Sequence, residues 1–172
     1  LPPFKSVIES GVDAIMVAHV NAPDYQQNAD DPATLSSFWI QDILKKELGF
    51  KGTVITDAMG MGGIVKNYSD SYALIATLKA GSDIIIQNNQ MKKSIDLIEQ
   101  AVLDGIISED RINASAYKIL KMKEKVGIHK TSLITQAQTH TLMGRKSNLD
   151  TANVIASRSL TVVKNENKIL PL

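Results

Sequence analysis

Short runs of apolar and β-branched residues alternate along this chain with longer stretches of helical periodicity, and this alternation constrains the fold more than any other feature. The runs occupy residues 14–18, 53–56 and 83–86. Each is short and apolar enough for a strand that is buried on both faces. Strands that alternate with helices are typical of βαβ units, so the chain is predicted to form a parallel α/β sheet or barrel.

Helices are predicted in the intervals between these runs, over residues 36–48, 71–79, 92–103 and 108–125. Gly49, Gly81 and Gly105 follow the first three helices, and glycine favours the left-handed conformation with which many helices end. Three strands are too few to close an eight-stranded barrel, which needs roughly 250 residues. If the chain belongs to a barrel, we expect it to form the last part of one, without the beginning of the polypeptide.

The character of the sequence changes after Gly127. Residues 131–148 are polar and rich in threonine and glutamine, which is typical of a linker. A helix is predicted over 150–159 and a further strand over 160–163. We therefore predict three parts: barrel residues 1–127, a linker over 128–150, and the start of a second domain over 151–172.

The composition limits the possible partners. Nineteen Lys and Arg residues stand against 18 Asp and Glu residues, a net charge of +1, which argues against a nucleic-acid partner. Cysteine is absent, so disulfides, thiolate catalysis and cysteine-based metal sites are excluded. The absence of cysteine does not decide between a cytoplasmic location and an extracellular or cell-wall location.

Polar side chains follow each predicted strand. His19 follows the first, Asp57 the second, and Gln87, Asn88 and Asn89 the third. Functional side chains of parallel α/β folds gather at the carboxyl edge of the sheet, so we expect these strand ends to share one face.

Asp57 is the strongest candidate among these residues. Small residues follow it, and a carboxylate in this position can act as nucleophile, base or metal ligand. The alternative is that Asp57 caps the next turn through backbone hydrogen bonds. His19 has two interpretations as well, a ligand-binding side chain or a structural histidine.

Other patterns carry less weight. The glycines at 60, 62 and 63 match neither the dinucleotide fingerprint nor a nucleotide-binding loop, and no histidine pair has zinc-ligand spacing, so we predict no cofactor and no metal. The loop residues Asp24, Asp30 and Asp31 lack the spacing of a calcium loop. Phe38 and Trp39 are predicted to pack against the core rather than to stack on a sugar.

Four segments resemble glycoside hydrolase family 3, especially its β-N-acetylhexosaminidase branch. In chain order they are Gly11-Val-Asp-Ala-Ile-Met-Val-Ala-His-Val20, Pro32-Ala-Thr-Leu-Ser36, Leu48-Gly-Phe-Lys-Gly-Thr-Val-Ile-Thr-Asp-Ala-Met59 and Lys79-Ala-Gly-Ser-Asp-Ile84. The resemblance implies that the chain forms about the last three βα units of a TIM-type (β/α)8 barrel. The residues from 156 to 172 are similar to the linker and first strand of the family's α/β sandwich domain.

The resemblance also implies roles for individual residues. Asp57 matches the aspartate nucleophile of a retaining mechanism, in which a covalent glycosyl-enzyme intermediate forms and water then hydrolyses it. His19 matches a position that lines the sugar subsite, and Met16 and Met59 are expected to flank the same pocket. The general acid/base of this branch is a histidine on an upstream loop, so it is expected to lie outside this chain.

The leading hypothesis is a β-N-acetylhexosaminidase that acts on terminal N-acetylglucosamine in a glycan or muropeptide, with an extracellular location preferred. His19 favours it over a β-glucosidase or β-xylosidase of the same family. A non-catalytic sugar-binding protein on a degenerate barrel is a further alternative, and an unrelated α/β domain in which Asp57 only caps a turn is the last. The expected partners are the carbohydrate substrate, the rest of the barrel and a C-terminal domain.

Overall fold

A computed structural model describes residues 1–25, 31–86, 90–130 and 134–165. The chain divides into two compact units, Leu1–His129 and Lys130–Leu172, which are described separately. The strands of the first unit are β1 (Ala14–Val17) and β2 (Thr53–Thr56). Its longer helices are α1 (Pro2–Glu9), a π-helix (Phe38–Glu47), α2 (Gly62–Val65), α3 (Asp70–Ala80), α4 (Met91–Leu103) and α5 (Glu109–Lys125), and short 3₁₀ helices cover Pro23–Tyr25 and Ala33–Leu35.

Strands β1 and β2 form a parallel pair, with Met16 opposite Ile55 and Val17 opposite Thr56. Parallel strands need a crossover connection, which here contains the π-helix. Ile40 and Leu44 of that helix pack against Ile15 and Val54 in a buried apolar cluster. The predicted alternation of strand and helix is therefore confirmed for the first two strands and the helix between them.

The third predicted strand, residues 83–86, is reduced to a single parallel bridge between Ile55 and Ile84. Side chains replace the neighbouring ladder bonds: the Ile86 N–H donates to the Thr56 hydroxyl at 3.0 Å. The Ala58 N–H donates to the Asp57 carboxylate at 2.7 Å. A side chain that accepts a backbone N–H competes with the sheet ladder, so the third strand stops beside Asp57.

The helix predictions hold with small shifts in their ends. The helix predicted over 36–48 is present, but it is wound as a π-helix rather than an α-helix, and the Leu48 N–H donates to the Ile43 carbonyl. Gly49 and Gly81 adopt positive φ angles of 71° and 119°, as predicted for glycines that end helices. The Ser108 side chain caps α5.

The second unit contains α6 (Gln136–Leu142) and α7 (Lys146–Ser159). The segment predicted as a linker contains helix α6, which starts at a reciprocal capping box formed by Thr135 and Gln138. The helix predicted over 150–159 is present and begins earlier. The strand predicted over 160–163 is absent: these residues join no ladder with any described residue.

Within the described part of the chain, no helix combines the length and apolar character needed to cross a bilayer.

Candidate active site

The ends of the first two strands meet, as predicted from the sequence. The Asp57 N–H donates to the Val17 carbonyl at 3.0 Å, which extends the β1–β2 ladder by one bond. Beyond it, His19 Nε2 lies 3.0 Å from the Ala58 carbonyl oxygen. Residues 87–89, the predicted contribution of the third strand end, lie outside the described residues.

The Asp57 carboxylate is partly buried, and its two oxygens differ. Oδ1 accepts the Ala58 N–H at 2.7 Å, which is short for a nitrogen donor and fits a charge-assisted bond. Among the residues that the structure describes, none donates a hydrogen bond to Oδ2. Among these residues, the carboxylate is therefore oriented through Oδ1 alone.

His19 has protein partners at both ring nitrogens. Nε2 contacts the Ala58 carbonyl at 3.0 Å, and Nδ1 contacts the Thr34 hydroxyl at 2.7 Å. A carbonyl oxygen only accepts hydrogen bonds, so Nε2 carries a proton. The ring therefore ties the segment after β1 to the segment after β2.

Met16 and Met59 occupy different environments. Met16 is 53% exposed and lies opposite Ile55. Asp57 follows β2, two residues after Ile55, so the alternation of side chains along a strand places Asp57 on the same face as Ile55 and Met16. Met59 is 3% exposed and packs with Leu35 and Ile64 in the core. Met16 thus has a surface for a ligand, whereas Met59 has a packing role in this structure.

Phe38 and Trp39 contact each other edge to face, with ring centroids 5.2 Å apart. Trp39 also lines an apolar hollow of about 270 Å³ beside β1, together with Phe4, Met16 and Val20. Trp39 is partly buried and lies outside the buried apolar clusters, so the packing role predicted for it stays a prediction.

A second carboxylate, that of Asp83, lies at the opposite edge of the sheet. Its side chain is 1% exposed and accepts hydrogen bonds from the Val54 N–H at 3.0 Å and the Ser115 hydroxyl at 2.7 Å. Lys118 Nζ lies 3.2 Å away and an Arg111 nitrogen 3.5 Å away. Burial alone raises the pKa of Asp83, but the Ser115, Val54 and Lys118 contacts outweigh it and hold the pKa below its ordinary value.

Lys45 lies near this cluster and donates to the Gly81 carbonyl at 2.8 Å. Burial lowers the pKa of Lys45 to about 8, and the nearby positive charge of Lys118 adds to the effect. Together with the Gln41 amide, which donates to the Ala80 carbonyl, Lys45 satisfies the carbonyls at the end of α3. The sequence shows no periodic or motif signal for this cluster, because its members come from four separate elements.

Comparison with known families assigns the chain. The model of the glycosyl hydrolase family 3 N-terminal domain matches residues 1–122. The chain belongs to glycosyl hydrolase family 3.

Curated and solved members of family 3 support this assignment. A β-N-acetylglucosaminidase/β-glucosidase of Cellulomonas fimi is 25% identical over 98% of the chain, and a β-hexosaminidase of Stenotrophomonas maltophilia is 43% identical over 50% of it. The solved family 3 β-N-acetylglucosaminidase of a Paenibacillus species matches 95% of the chain with 33% identity and a TM-score of 0.82.

The chain spans only part of these family 3 proteins. It covers 31% of the Cellulomonas protein, 25% of the Stenotrophomonas protein and 31% of the Paenibacillus chain.

Thr34 contacts a candidate site residue, and the sequence alone does not indicate this contact. Thr34 is fully buried, and its hydroxyl lies against the His19 ring. In the sequence, the segment that contains it stands out only by its resemblance to the family. A threonine gives no signal of its own until the fold brings it next to a histidine.

Proposed function

We propose that this chain is part of a retaining glycoside hydrolase that releases terminal β-linked N-acetylglucosamine, with Asp57 as its nucleophile. The observation that carries the proposal is the asymmetric Asp57 carboxylate at the carboxyl edge of a family 3 domain. Oδ1 is fixed by the Ala58 N–H at 2.7 Å, and Oδ2 receives no hydrogen bond from the described residues.

The proposed chemistry has two displacement steps. In the first, Asp57 Oδ2 forms a bond to the anomeric carbon while the bond from that carbon to the leaving oxygen breaks, and an acid gives that oxygen a proton. In the second, a water loses a proton to the same group and attacks the anomeric carbon, which releases the carboxylate. Two inversions give net retention.

The Ala58 N–H assists both steps in this scheme. It stabilises the carboxylate before attack, and it stays bonded to Oδ1 while Oδ2 becomes an ester oxygen. The general acid/base is proposed to lie outside residues 1–172, as the family resemblance implies. The other predicted subsite residues have different roles in the proposal. Met16, which is exposed, would contact the sugar. Met59 and His19 would not contact it and would instead support the residues that form the subsite.

The substrate part of the proposal rests on relatives. The Stenotrophomonas protein is named a β-hexosaminidase, and the Paenibacillus protein a β-N-acetylglucosaminidase. The Cellulomonas name joins β-N-acetylglucosaminidase to β-glucosidase, which makes a β-glucoside the second candidate. Cell-wall muropeptides are the proposed natural source of the terminal sugar.

A barrel completed by further strands is proposed as the setting of the site. Strand β1 pairs only with β2 among the described residues, so its other edge has unpaired backbone groups. Additional strands of the same polypeptide would pair with this edge, as the chain's 31% share of the Paenibacillus chain suggests.

The test is hydrolysis by the complete native polypeptide that carries residues 1–172. Aryl β-N-acetylglucosaminide, β-glucoside and β-xyloside are compared by kcat/KM, and the first anomer released is identified by proton NMR. We expect preference for the N-acetylglucosaminide and initial release of the β-anomer. Initial release of the α-anomer, or no turnover of any of the three substrates, would contradict the proposal.

A further inference from the structure

The His19 ring joins two loops that meet beside Asp57, and its hydrogen-bond directions follow from its partners. Nε2 carries a proton because the Ala58 carbonyl only accepts. In the neutral ring Nδ1 is then an acceptor, so it receives the Thr34 hydroxyl hydrogen across 2.7 Å. The Val17 carbonyl, at 3.4 Å from the same hydroxyl, is the weaker alternative acceptor.

The bond from His19 restrains the peptide group that follows Ala58. This peptide is held at both ends, because its carbonyl accepts from His19 and its N–H, that of Met59, donates to the Ile86 carbonyl at 2.9 Å. The peptide before Asp57 is held through its N–H, which donates to the Val17 carbonyl at 3.0 Å.

The peptide between these two planes is the one that carries the Ala58 N–H, the donor to Asp57 Oδ1. With both flanking planes fixed, the direction of this N–H is restricted, and with it the direction of the carboxylate. The geometry therefore connects the Thr34 hydroxyl to the nucleophile through named contacts.

We propose that Thr34 and His19 are positioning residues for Asp57. The Thr34 hydroxyl fixes the His19 ring, and the ring in turn holds the Ala58 carbonyl. This restrains the preceding peptide, whose N–H, that of Ala58, orients the Asp57 carboxylate. This inference rests on the proposed function of Asp57. In this proposal both ring nitrogens of His19 hydrogen-bond to protein atoms, and other side chains bind the sugar.

Thr34 is well placed to be a fixed reference point. It is 0% exposed, and its carbonyl accepts a hydrogen bond from the Thr77 hydroxyl at 2.9 Å. The Thr77 oxygen lies 2.9 Å from the Ser82 hydroxyl at the end of α3. The Thr34–His19 contact is thus supported by Thr77 of helix α3, which belongs to the core, rather than by a surface loop.

Gly63 bounds the His19 side chain on another side. A Cβ atom at position 63 would lie 3.0 Å from His19 Cβ, tighter than nine in ten real Cβ contacts, so the His19 side chain would have to shift by a few tenths of an ångström. At the neighbouring Gly62, a Cβ atom would meet only the flexible end of the Lys66 side chain, at 3.4 Å. The two glycines therefore form a matched pair, in which only Gly63 is predicted to matter for the His19 position.

The experiment compares Thr34→Val, which keeps the shape and removes the hydroxyl, with Thr34→Ser, which keeps the hydroxyl. In the complete native polypeptide, kcat and KM are measured on an aryl N-acetylglucosaminide, and exchange of the Met59 amide is followed by NMR. We expect Thr34→Val to lose about 10- to 100-fold in kcat with KM within about twofold, and to exchange the Met59 amide faster. Thr34→Ser should recover most of the kcat.

The glycine pair keeps the inference testable if Thr34→Val does not fold. Gly63→Ala is expected to lower kcat several-fold and to speed Met59 exchange, whereas Gly62→Ala is expected to change neither. Equal behaviour of the two glycine variants would contradict the inference, as would a Thr34→Val variant with wild-type kcat and exchange. A rise in KM with unchanged kcat in Thr34→Val would also contradict it, because that pattern indicates lost substrate binding.

The two proposals fail in different ways. If Asp57→Asn retains wild-type turnover, the proposed function is wrong and the inference falls with it. If Asp57→Asn is inactive while Thr34→Val retains wild-type kcat and Met59 exchange, only the positioning inference is wrong.

Discussion

Asp57 and Asp83 are aspartates on neighbouring segments of the small parallel sheet. Asp57 lies at the carboxyl ends of the strands, and Asp83 lies at their amino ends. Asp83 is 1% exposed and receives hydrogen bonds from the Val54 N–H, the Ser115 hydroxyl and Lys118, with Arg111 nearby. Asp57 is partly buried and, from the residues that the structure describes, receives one hydrogen bond, which the Ala58 N–H donates. The same side chain is thus fully satisfied at the amino edge of the sheet and half satisfied at the carboxyl edge.

This difference indicates different uses of the negative charge. A carboxylate whose oxygens all have donors stabilises the fold, since a reaction at either oxygen would break buried contacts. A carboxylate with one oriented oxygen and one open oxygen is suited to chemistry, because reaction leaves the orienting bond in place. The predicted consequence is that removing Asp57 affects activity and removing Asp83 affects stability.

The largest expected effect is on the activity of Asp57→Asn. Asparagine keeps an oxygen for the Ala58 N–H but lacks a nucleophilic carboxylate, so kcat should fall by a factor on the order of 10⁴ while the free energy of unfolding changes by less than about 0.5 kcal/mol. Steady-state kinetics and urea unfolding of the complete native polypeptide measure the two quantities. A large stability loss in Asp57→Asn would indicate that Asp57 is a structural cap.

The next largest effect is on the stability of Asp83→Asn. The amide leaves Lys118 and Arg111 without their anion, and because both cations are partly exposed we expect a loss of about 2–3 kcal/mol, below the range for fully buried pairs. Asp42→Asn, which breaks the exposed pair with Lys46, is the matched control and should change stability by less than about 0.5 kcal/mol.

The acid dependence of Asp83 gives a second check on the same variant. The pKa of Asp83 in the folded chain lies below the ordinary 3.8, so its stabilising contribution is complete above that pH and is lost as pH falls through the folded pKa. The stability gap between the wild type and Asp83→Asn should therefore narrow in acid. A gap that stays constant with pH would argue that the charge of Asp83 is unimportant.

The smallest expected effect concerns Lys45, which borders the Asp83 cluster. Its folded pKa of about 8 lies below the ordinary 10.5, so between these pH values the unfolded chain binds more protons and stability rises with pH. The wild type should gain stability relative to Lys45→Met over this interval, as measured by urea unfolding at several pH values. Lys46→Met, on the exposed neighbour, should show no such trend, and parallel profiles for all three proteins would refute the lowered pKa.

The position of Asp57 could be predicted from the sequence, whereas the contacts of Asp83 could not. The β-branched run before Asp57 and the small residues after it predicted both the strand and the candidate site, since strand periodicity and strand-end position are local signals. Asp83 was counted as part of a third strand, and its partners Ser115 and Lys118 were not predicted. Those contacts join residues about thirty positions apart, and no local pattern records them.

The errors have the same origin. The third strand was predicted from its apolar run, but side chains of Thr56 and Asp57 take the ladder positions beside it. The strand predicted over 160–163 lacks a described partner, and strand propensity alone does not supply one. The Thr34–His19 contact was missed because it depends on a loop crossing that only the folded chain contains.

The most direct measurement is covalent trapping of the nucleophile. The complete native polypeptide is incubated with a fluorinated N-acetylglucosaminyl fluoride, digested with a protease and mapped by mass spectrometry. We expect time-dependent inactivation and one added sugar on Asp57, with no label in Asp57→Asn. A sugar attached to Asp83 or to any other carboxylate would contradict the assignment of Asp57 as the nucleophile.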